Sequence, residues 1–188
     1  MDLTRPLGWL RLEGRKAETI GGPAEATRLL DRGASLYAAA LLGGAARVLE
    51  MTTEYAKERV QFGKPIGSFQ AVQHQLSVMA EQACAARMAA QLSFASDGHL
   101  PDRTLAAMGK SVAGEAAAVV AAGSHAVHGA IGITAEFDLQ LYTRRLLAWR
   151  MQAGSPSHWA MQVGRHWWAG RHERAIDFTL ERLSAAQF

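Results

Sequence analysis

The stretch LDRGASLYAAALLGGAARVLEMTTEY, Leu30 to Tyr55, places Leu30, Ala34, Tyr37, Leu41, Ala45, Val48 and Tyr55 at steps of three and four residues. Such steps draw one stripe along a helix, and with its flanks the pattern predicts about 35 helical residues. Gly21-Gly22-Pro23 marks the start, and Phe62-Gly63-Lys64-Pro65-Ile66-Gly67 breaks the pattern. A second stripe, Val72, Leu76, Met79, Ala83, Ala86 and Ala90, predicts a helix that stops at Asp97-Gly98. Pro101-Asp102 opens a third helix carrying Leu105, Met108, Val112 and Val119. A glycine-rich break from Gly129 to Gly132 precedes a fourth, from about Glu136 to Met151. Ser155-Pro156 joins a capping hydroxyl to a proline suited to the first helical position, and so starts a fifth. Long helices with short connections and small residues on their stripes make a mainly α fold, an up-and-down four-helix bundle with an additional C-terminal helix.

The first 22 residues read differently. Leu7-Gly8-Trp9-Leu10-Arg11-Leu12-Glu13-Gly14 partly alternates, as a short β-strand does. A lone strand has no partner for its ladder, so residues 1–22 are expected to be the terminal strand and linker of a β domain, and residues 23–188 the helical bundle. With 49% hydrophobic and 20% charged residues the chain has material for a core and is not a disordered chain. The net charge of +3 is spread out. Its densest cluster, Arg144, Arg145 and Arg150, reads as a solvated helix face rather than a nucleic-acid surface. Cys84 is alone, which excludes a disulfide within the chain and suits a reducing, cytoplasmic setting. The most apolar window, Ala116 to Thr134, contains Ser124, His125, His128 and four glycines, and is not expected to span a membrane.

Two segments carry chemistry. The first runs Tyr55-Ala-Lys-Glu-Arg59-Val-Gln61-Phe62-Gly-Lys-Pro-Ile-Gly-Ser-Phe-Gln70. Taken locally it is a helix end, with Arg59 favoured by the dipole, Phe62 packing and Gly63 capping. The second runs His128-Gly129-Ala-Ile-Gly-Ile-Thr-Ala-Glu136-Phe-Asp-Leu-Gln-Leu-Tyr-Thr-Arg144. Locally it is a glycine-rich loop entering a helix with a carboxylate in its first turn.

The first segment resembles the Arg-x-x-Phe-Gly-x-x-[Ile/Leu]-x-x-x-Gln signature of acyl-CoA dehydrogenases. The second resembles the Gly-Gly-x-Gly-x-x-x-Glu stretch of the same family. The resemblance implies that Arg59 reaches the FAD pyrophosphate, a pairing that guanidinium geometry suits. It implies that Gln61, Phe62, Gln70 and Gly129 line the flavin nucleotide, and that Glu136 is the catalytic base. The implied reaction is α,β-dehydrogenation of an acyl-CoA thioester, in the family's role of lipid degradation. The thioester oxygen would then be held by the Glu136 backbone N–H and a flavin hydroxyl. Implied partners are the acyl-CoA substrate, further subunits in a homo- or hetero-oligomer, and an electron-transferring flavoprotein.

Three positions depart from the family pattern: Ala34 stands for an arginine, Ala126 for a glutamine and Ala130 for the second glycine. They leave an alternative open, a non-catalytic helical oligomerisation subunit or fragment with a degenerate flavin site. No metal site is expected. His125 and His128 lack further ligands at matching spacing, and His158, His166 and His172 are expected on the polar face of the last helix. Trp159, Trp167 and Trp168 are expected to pack or to meet another subunit.

Overall fold

The computed structural model describes residues 8–95, 101–170 and 174–185. Its elements are α1 (Pro23–Glu58), a hairpin of β1 (Val60–Gln61) and β2 (Lys64–Pro65), α2 (Gln70–Leu92), α3 (Arg103–His128), α4 (Leu139–Trp149), α5 (Pro156–Ala169) and α6 (Ala175–Ala185). Short 3₁₀ turns cover Ile66–Ser68 and Gly129–Ile133. The helix starts follow local chemistry. Pro23 is the first residue of α1, and the Gly22 N–H donates to the Glu25 carboxylate at 2.9 Å. Asp102 caps α3 by accepting from the N–H groups of Thr104 and Leu105. The Ser155 hydroxyl caps α5 by accepting from the His158 N–H.

Close approaches fix the directions of the helices. Ser35 of α1 donates to the carbonyl of Ser93 just past α2, whereas Gly67, just before α2, lies against Ala56 near the end of α1. Gly109 meets Ala89 and Ser93, while Gly123 meets Met79. So α2 is antiparallel to both α1 and α3. Buried Ala38, Leu41, Ala45 and Val48 of α1 meet Met79, Ala86 and Ala90 of α2 and Ala113, Ala116, Ala117 and Val120 of α3. The small side chains let these backbones lie close, and α3 packs against α1, α2, α4 and α5. That central position accounts for α3 being the one helix, among the described residues, long and apolar enough to cross a membrane.

The fourth column of the bundle is made of two helices laid end to end. Thr143 of α4 pairs with His125, and Arg150 reaches the Gly114 carbonyl and, at 3.4 Å, Glu115. Next, Pro156 opens α5 against Gly114, Trp159 packs on Ala107 and Ala34, and His166 bonds Thr104 at 2.9 Å. Both helices therefore run antiparallel to α3, α4 along its C-terminal half and α5 along its N-terminal half. The joint between them is held by Lys110, which is fully buried and donates to the carbonyls of Arg150 (2.7 Å) and Gly154 (2.9 Å). Burial, and to a lesser extent the Arg150 guanidinium, pushes the Lys110 pKa down to about 8. In the arginine cluster, Arg144 is exposed and bonds Gln140 one turn earlier on its own helix, half-buried Arg145 lies over the Trp149 ring, and half-buried Arg150 joins α4 to α3.

Several expectations change. Residues 8–22 hold a turn at Glu13-Gly14 but no strand, because nothing in the described chain offers a ladder to Trp9, Leu10 and Leu12, which are exposed. The only strands among the described residues are those of the hairpin after α1. The α1 stripe is buried at Ala34, Leu41, Ala45 and Val48, but Leu30 is exposed. On α3, Val112 and Val119 are exposed, and the inner face is built mostly of alanine and glycine, with Leu105, Lys110, Val120 and Val127 among them. The fifth helix stops at Gly170, and α6 follows, burying Phe178. Trp159 is fully buried while Trp168 is exposed. Leu7, the Asp97-Gly98 stop and His172 lie outside the described residues.

Two stability predictions follow from this packing. A Cβ on Gly109 would stand 2.8 Å from the Ala89 carbonyl oxygen, whereas one on Gly43 would meet nothing within 4 Å. Chemical denaturation should show Gly109→Ala destabilised by about 1–3 kcal/mol and Gly43→Ala stabilised by about 0.5–1 kcal/mol. The second concerns pH. The folded state holds the Lys110 proton less tightly than the unfolded chain does, so the unfolded chain binds more protons between about 8 and 10.5. The lysine's contribution to stability therefore rises as pH increases through that window. Subtracting the pH–stability profile of Lys110→Met from that of the parent should leave an upward slope there, and a flat difference would refute the assignment.

Candidate active site

The up-down-up course of α1, α2 and α3 collects the end of α1, the start of α2, the end of α3 and the approach to α4 at one end of the bundle. Both sequence motifs lie at this end. Arg59 caps α1, its N–H donating to the Tyr55 carbonyl, and its own carbonyl accepts from the Ile66 N–H at 2.8 Å. That bond closes the hairpin, in which Val60 pairs with Pro65 and Gln61 with Lys64. Phe62 and Gly63 form its two-residue tip with φ of 53° and 77°, the pair of positive values that a tight primed turn needs. Glycine takes this conformation freely, but for phenylalanine it is strained. Phe62 is also 91% exposed, touching Phe69 edge to face at 6.1 Å, while the Lys64 ammonium lies 4.3 Å from the Phe69 ring centre. Gln70 is the first residue of α2 and is exposed, as are Arg59 and Gln61. Arg59 has no ion pair or side-chain hydrogen bond among the described residues.

The second motif begins where α3 ends. Gly129 has φ 63° and ψ −142°, and a Cβ there would meet no atom within 4 Å. The position needs glycine for its backbone, and the space beside it is open. Residues Gly129–Ile133 form the 3₁₀ turn, and both the N–H and the hydroxyl of Thr134 donate to the Ile131 carbonyl. Glu136 follows in a turn, exposed, and three residues before α4 begins. The expectation that it lies in the first turn of a helix is thereby corrected. Phe137 turns inward onto the bundle, and helical backbone starts only at Leu139. The Glu136 N–H makes no hydrogen bond among the described residues.

Three rings link the two motifs. His128, the last residue of α3, stacks on Tyr55 with centroids 4.3 Å apart and planes 22° apart, and lies 5.0 Å from Phe137. Tyr55 and Phe137 meet edge to face at 6.0 Å. Tyr55 is one helical turn before Arg59, and Phe137 is next to Glu136, so the contact sets the arginine turn relative to the carboxylate turn. No hydrogen bond or ion pair joins Arg59 to Glu136 directly among the described residues. The sequence puts Tyr55 on the α1 stripe and His128 among histidines without a metal role, but it does not bring the three rings together. The signal available was the position of each ring beside a motif residue.

The donor set suits a flavin nucleotide: an uncommitted guanidinium, an exposed aromatic ring held at positive φ, two amide side chains and an open glycine turn. The departures are also placed. Ala34 is fully buried with Ala107 and Trp159, so an arginine there would collide with α5. Asp31, three residues earlier, is also buried and lies 3.7 Å from Arg103. Burial raises its pKa, with Arg103 opposing. Ala126 and Ala130 are exposed beside the open Gly129. His125 and His128 make packing and hydrogen-bond contacts, and no group of three or more metal-ligating side chains gathers among the described residues.

The sequence profile described as Acyl-CoA dehydrogenase, C-terminal domain, matches residues 21–168. The acyl-CoA dehydrogenase IpdE2 of Mycolicibacterium smegmatis is 40% identical over 145 residues, which make up 77% of this chain and 44% of that protein. The acyl-CoA dehydrogenase FadE34 of Mycobacterium tuberculosis is 40% identical over 166 residues, 86% of this chain and 23% of that protein. The solved butyryl-CoA dehydrogenase from Megasphaera elsdenii superposes with a TM-score of 0.73 at 30% identity, covering 77% of this chain and 38% of that one. The chain thus spans less than half the length of each of these proteins. Fold, motifs and relatives agree that the chain belongs to the acyl-CoA dehydrogenase family and carries its C-terminal helical domain.

Proposed function

We propose that this chain supplies the base and one wall of the flavin site to an enzyme that desaturates an acyl-CoA thioester between Cα and Cβ. The observation that carries the reading is the bundle end itself. There an uncommitted Arg59 and the strained, exposed Phe62 are fixed by a ring contact relative to the turn that bears Glu136. Strain in an exposed aromatic residue is retained where something outside the fold uses it. Arg59 would hold the FAD pyrophosphate, Phe62, Gln61 and Gln70 would border the nucleotide, and the Gly129 turn would let it approach the backbone.

In the reaction, Glu136 takes the proton from Cα as the Cα–H and Cβ–H bonds break and the double bond forms. The bound flavin supplies the acceptor for the hydride that leaves Cβ. The Glu136 N–H, which makes no hydrogen bond among the described residues, would donate to a thioester oxygen as negative charge develops on it. Glu136 and Arg59 are both exposed, so water must be kept out by protein that covers this end, from other domains or subunits. An electron-transferring flavoprotein is the proposed electron acceptor. The competing reading, a non-catalytic oligomerisation module, draws on Ala126 and Ala130, which stand where the family has a glutamine and a glycine.

Glu136→Gln should cut turnover of the flavin-loaded enzyme by about 10³-fold or more while its FAD content stays unchanged. Near-normal turnover would refute the role of Glu136, and colourless, inactive oligomers of the parent, with the covering protein present, would favour the module. Arg59→Ala should weaken FAD binding by roughly tenfold to a hundredfold in equilibrium dialysis, and Arg59→Lys should restore only part of it.

A further inference from the structure

We infer that His128 is a positioning residue whose ring, clamped against Tyr55 and Phe137 in a three-ring cluster, holds the Glu136 turn in register with the Arg59 turn. The inference rests on the roles proposed above for Glu136 and Arg59, and adds a residue that itself takes no part in the bond changes.

His128 is only 4% exposed. Its Nδ1 lies 2.8 Å from the Ser124 carbonyl oxygen. A carbonyl can only accept, so Nδ1 carries the hydrogen and the neutral ring leaves Nε2 as a bare acceptor. Nε2 is buried and has no partner. A proton there would add a charged donor with nothing to receive it, and burial accordingly lowers the pKa of the ring. The neutral ring is thus fixed at one edge by its own helix, stacks one face on Tyr55 and meets the tilted Phe137 ring beside it.

The surroundings leave it little freedom. Gly132 packs so closely that a Cβ there would stand 3.0 Å from His128 Cβ and 3.1 Å from Leu139 Cδ2. One turn earlier on α3, His125 Nε2 lies 2.9 Å from the Thr143 hydroxyl of α4. The Glu136 turn is therefore held to α3 on both sides, through Gly132 before it and through Phe137 and Thr143 after it. Glu136 itself is exposed and has no ion pair or hydrogen bond among the described residues, so its own side chain does not fix its position. The ring contact is what orients it. Displacing a catalytic group by about 1 Å is enough to cost a hundredfold in rate.

The test compares His128→Ala with His128→Phe, which keeps a ring but not the nitrogens. On the 188-residue chain, cleavage after Glu136 by a glutamate-specific protease is followed by mass spectrometry. In the flavin-loaded enzyme, kcat and KM are measured. His128→Ala should speed that cleavage by about tenfold or more with helix content unchanged, as local opening requires. It should also lower kcat by about tenfold to a hundredfold with KM nearly constant, and His128→Phe should recover most of both losses. Unchanged cleavage and kcat in His128→Ala, or equal impairment of both variants, would overturn the inference. If His128→Ala does not fold, Phe137→Ala removes the other side of the clamp and should give the same faster cleavage; cleavage at the parent rate would overturn it. Glu136→Gln is run beside them. An active Glu136→Gln enzyme refutes the catalytic reading, whereas an inactive one beside a fully active His128→Ala refutes only the positioning role.

Discussion

The structure depends on α3 being narrow. Its inner positions are Ala106, Ala107, Gly109, Ala113, Gly114, Ala116, Ala117 and Ala121, with Val120 the largest aliphatic side chain among those fully buried on it. A helix surfaced this way lets neighbouring backbones lie close on several sides, and the contact area comes from many short contacts rather than from a few large side chains. Close approach also fixes axial register, because a displaced helix would press a carbonyl or side chain onto a neighbour. That register carries the ends of α1 and α3 and the start of α2 to one level. The site is a consequence of where the helices stop.

The same narrowness explains Lys110. Where α4 gives way to α5, the C-terminus of α4 and the connecting turn leave backbone carbonyls at the joint, and the buried ammonium takes up two of them, those of Arg150 and Gly154. A long side chain with a donor at its tip reaches from the α3 axis to the joint, which an alanine cannot do. A buried cation is costly, as its lowered pKa shows. The benefit is geometric: one column is divided into two helices, and α5 can tilt to seat Trp159 over Ala34 and Ala107.

The helices were legible because their stripes were long. Pro23, Asp102 and Ser155 each mark a start that the structure keeps to within one residue. The face of α3 was misread at Val112 and Val119 because apolar residues were expected inside, while a helix in the middle of a bundle selects for size before hydrophobicity. The 8–22 segment alternates as a strand does, but a strand exists only in its pairing, and the pairing is not a property of the segment. The two motifs were legible through their resemblance to family signatures, since locally each is an ordinary helix end or a loop entering a helix. The ring contact between them was not, since Tyr55, His128 and Phe137 are far apart in sequence and each passes for an ordinary core residue.

The site combines rigid backbone with exposed side chains. Arg59, Gln61, Phe62, Gln70, Gly129 and Glu136 are all exposed, yet the turns that bear them are pinned by the Arg59–Ile66 bond, the Thr134–Ile131 bonds and the ring contact. A site complete in itself would bury the proposed base and the proposed anion-binding arginine, because electrostatic interactions strengthen when water is removed. A disordered surface would not hold a phenylalanine at φ 53°. Rigid and open together describe a surface already organised for something that will cover it. Pinning the turns beforehand means that little ordering entropy is lost when that cover arrives, so more of the contact energy remains for the nucleotide and thioester proposed to bind there.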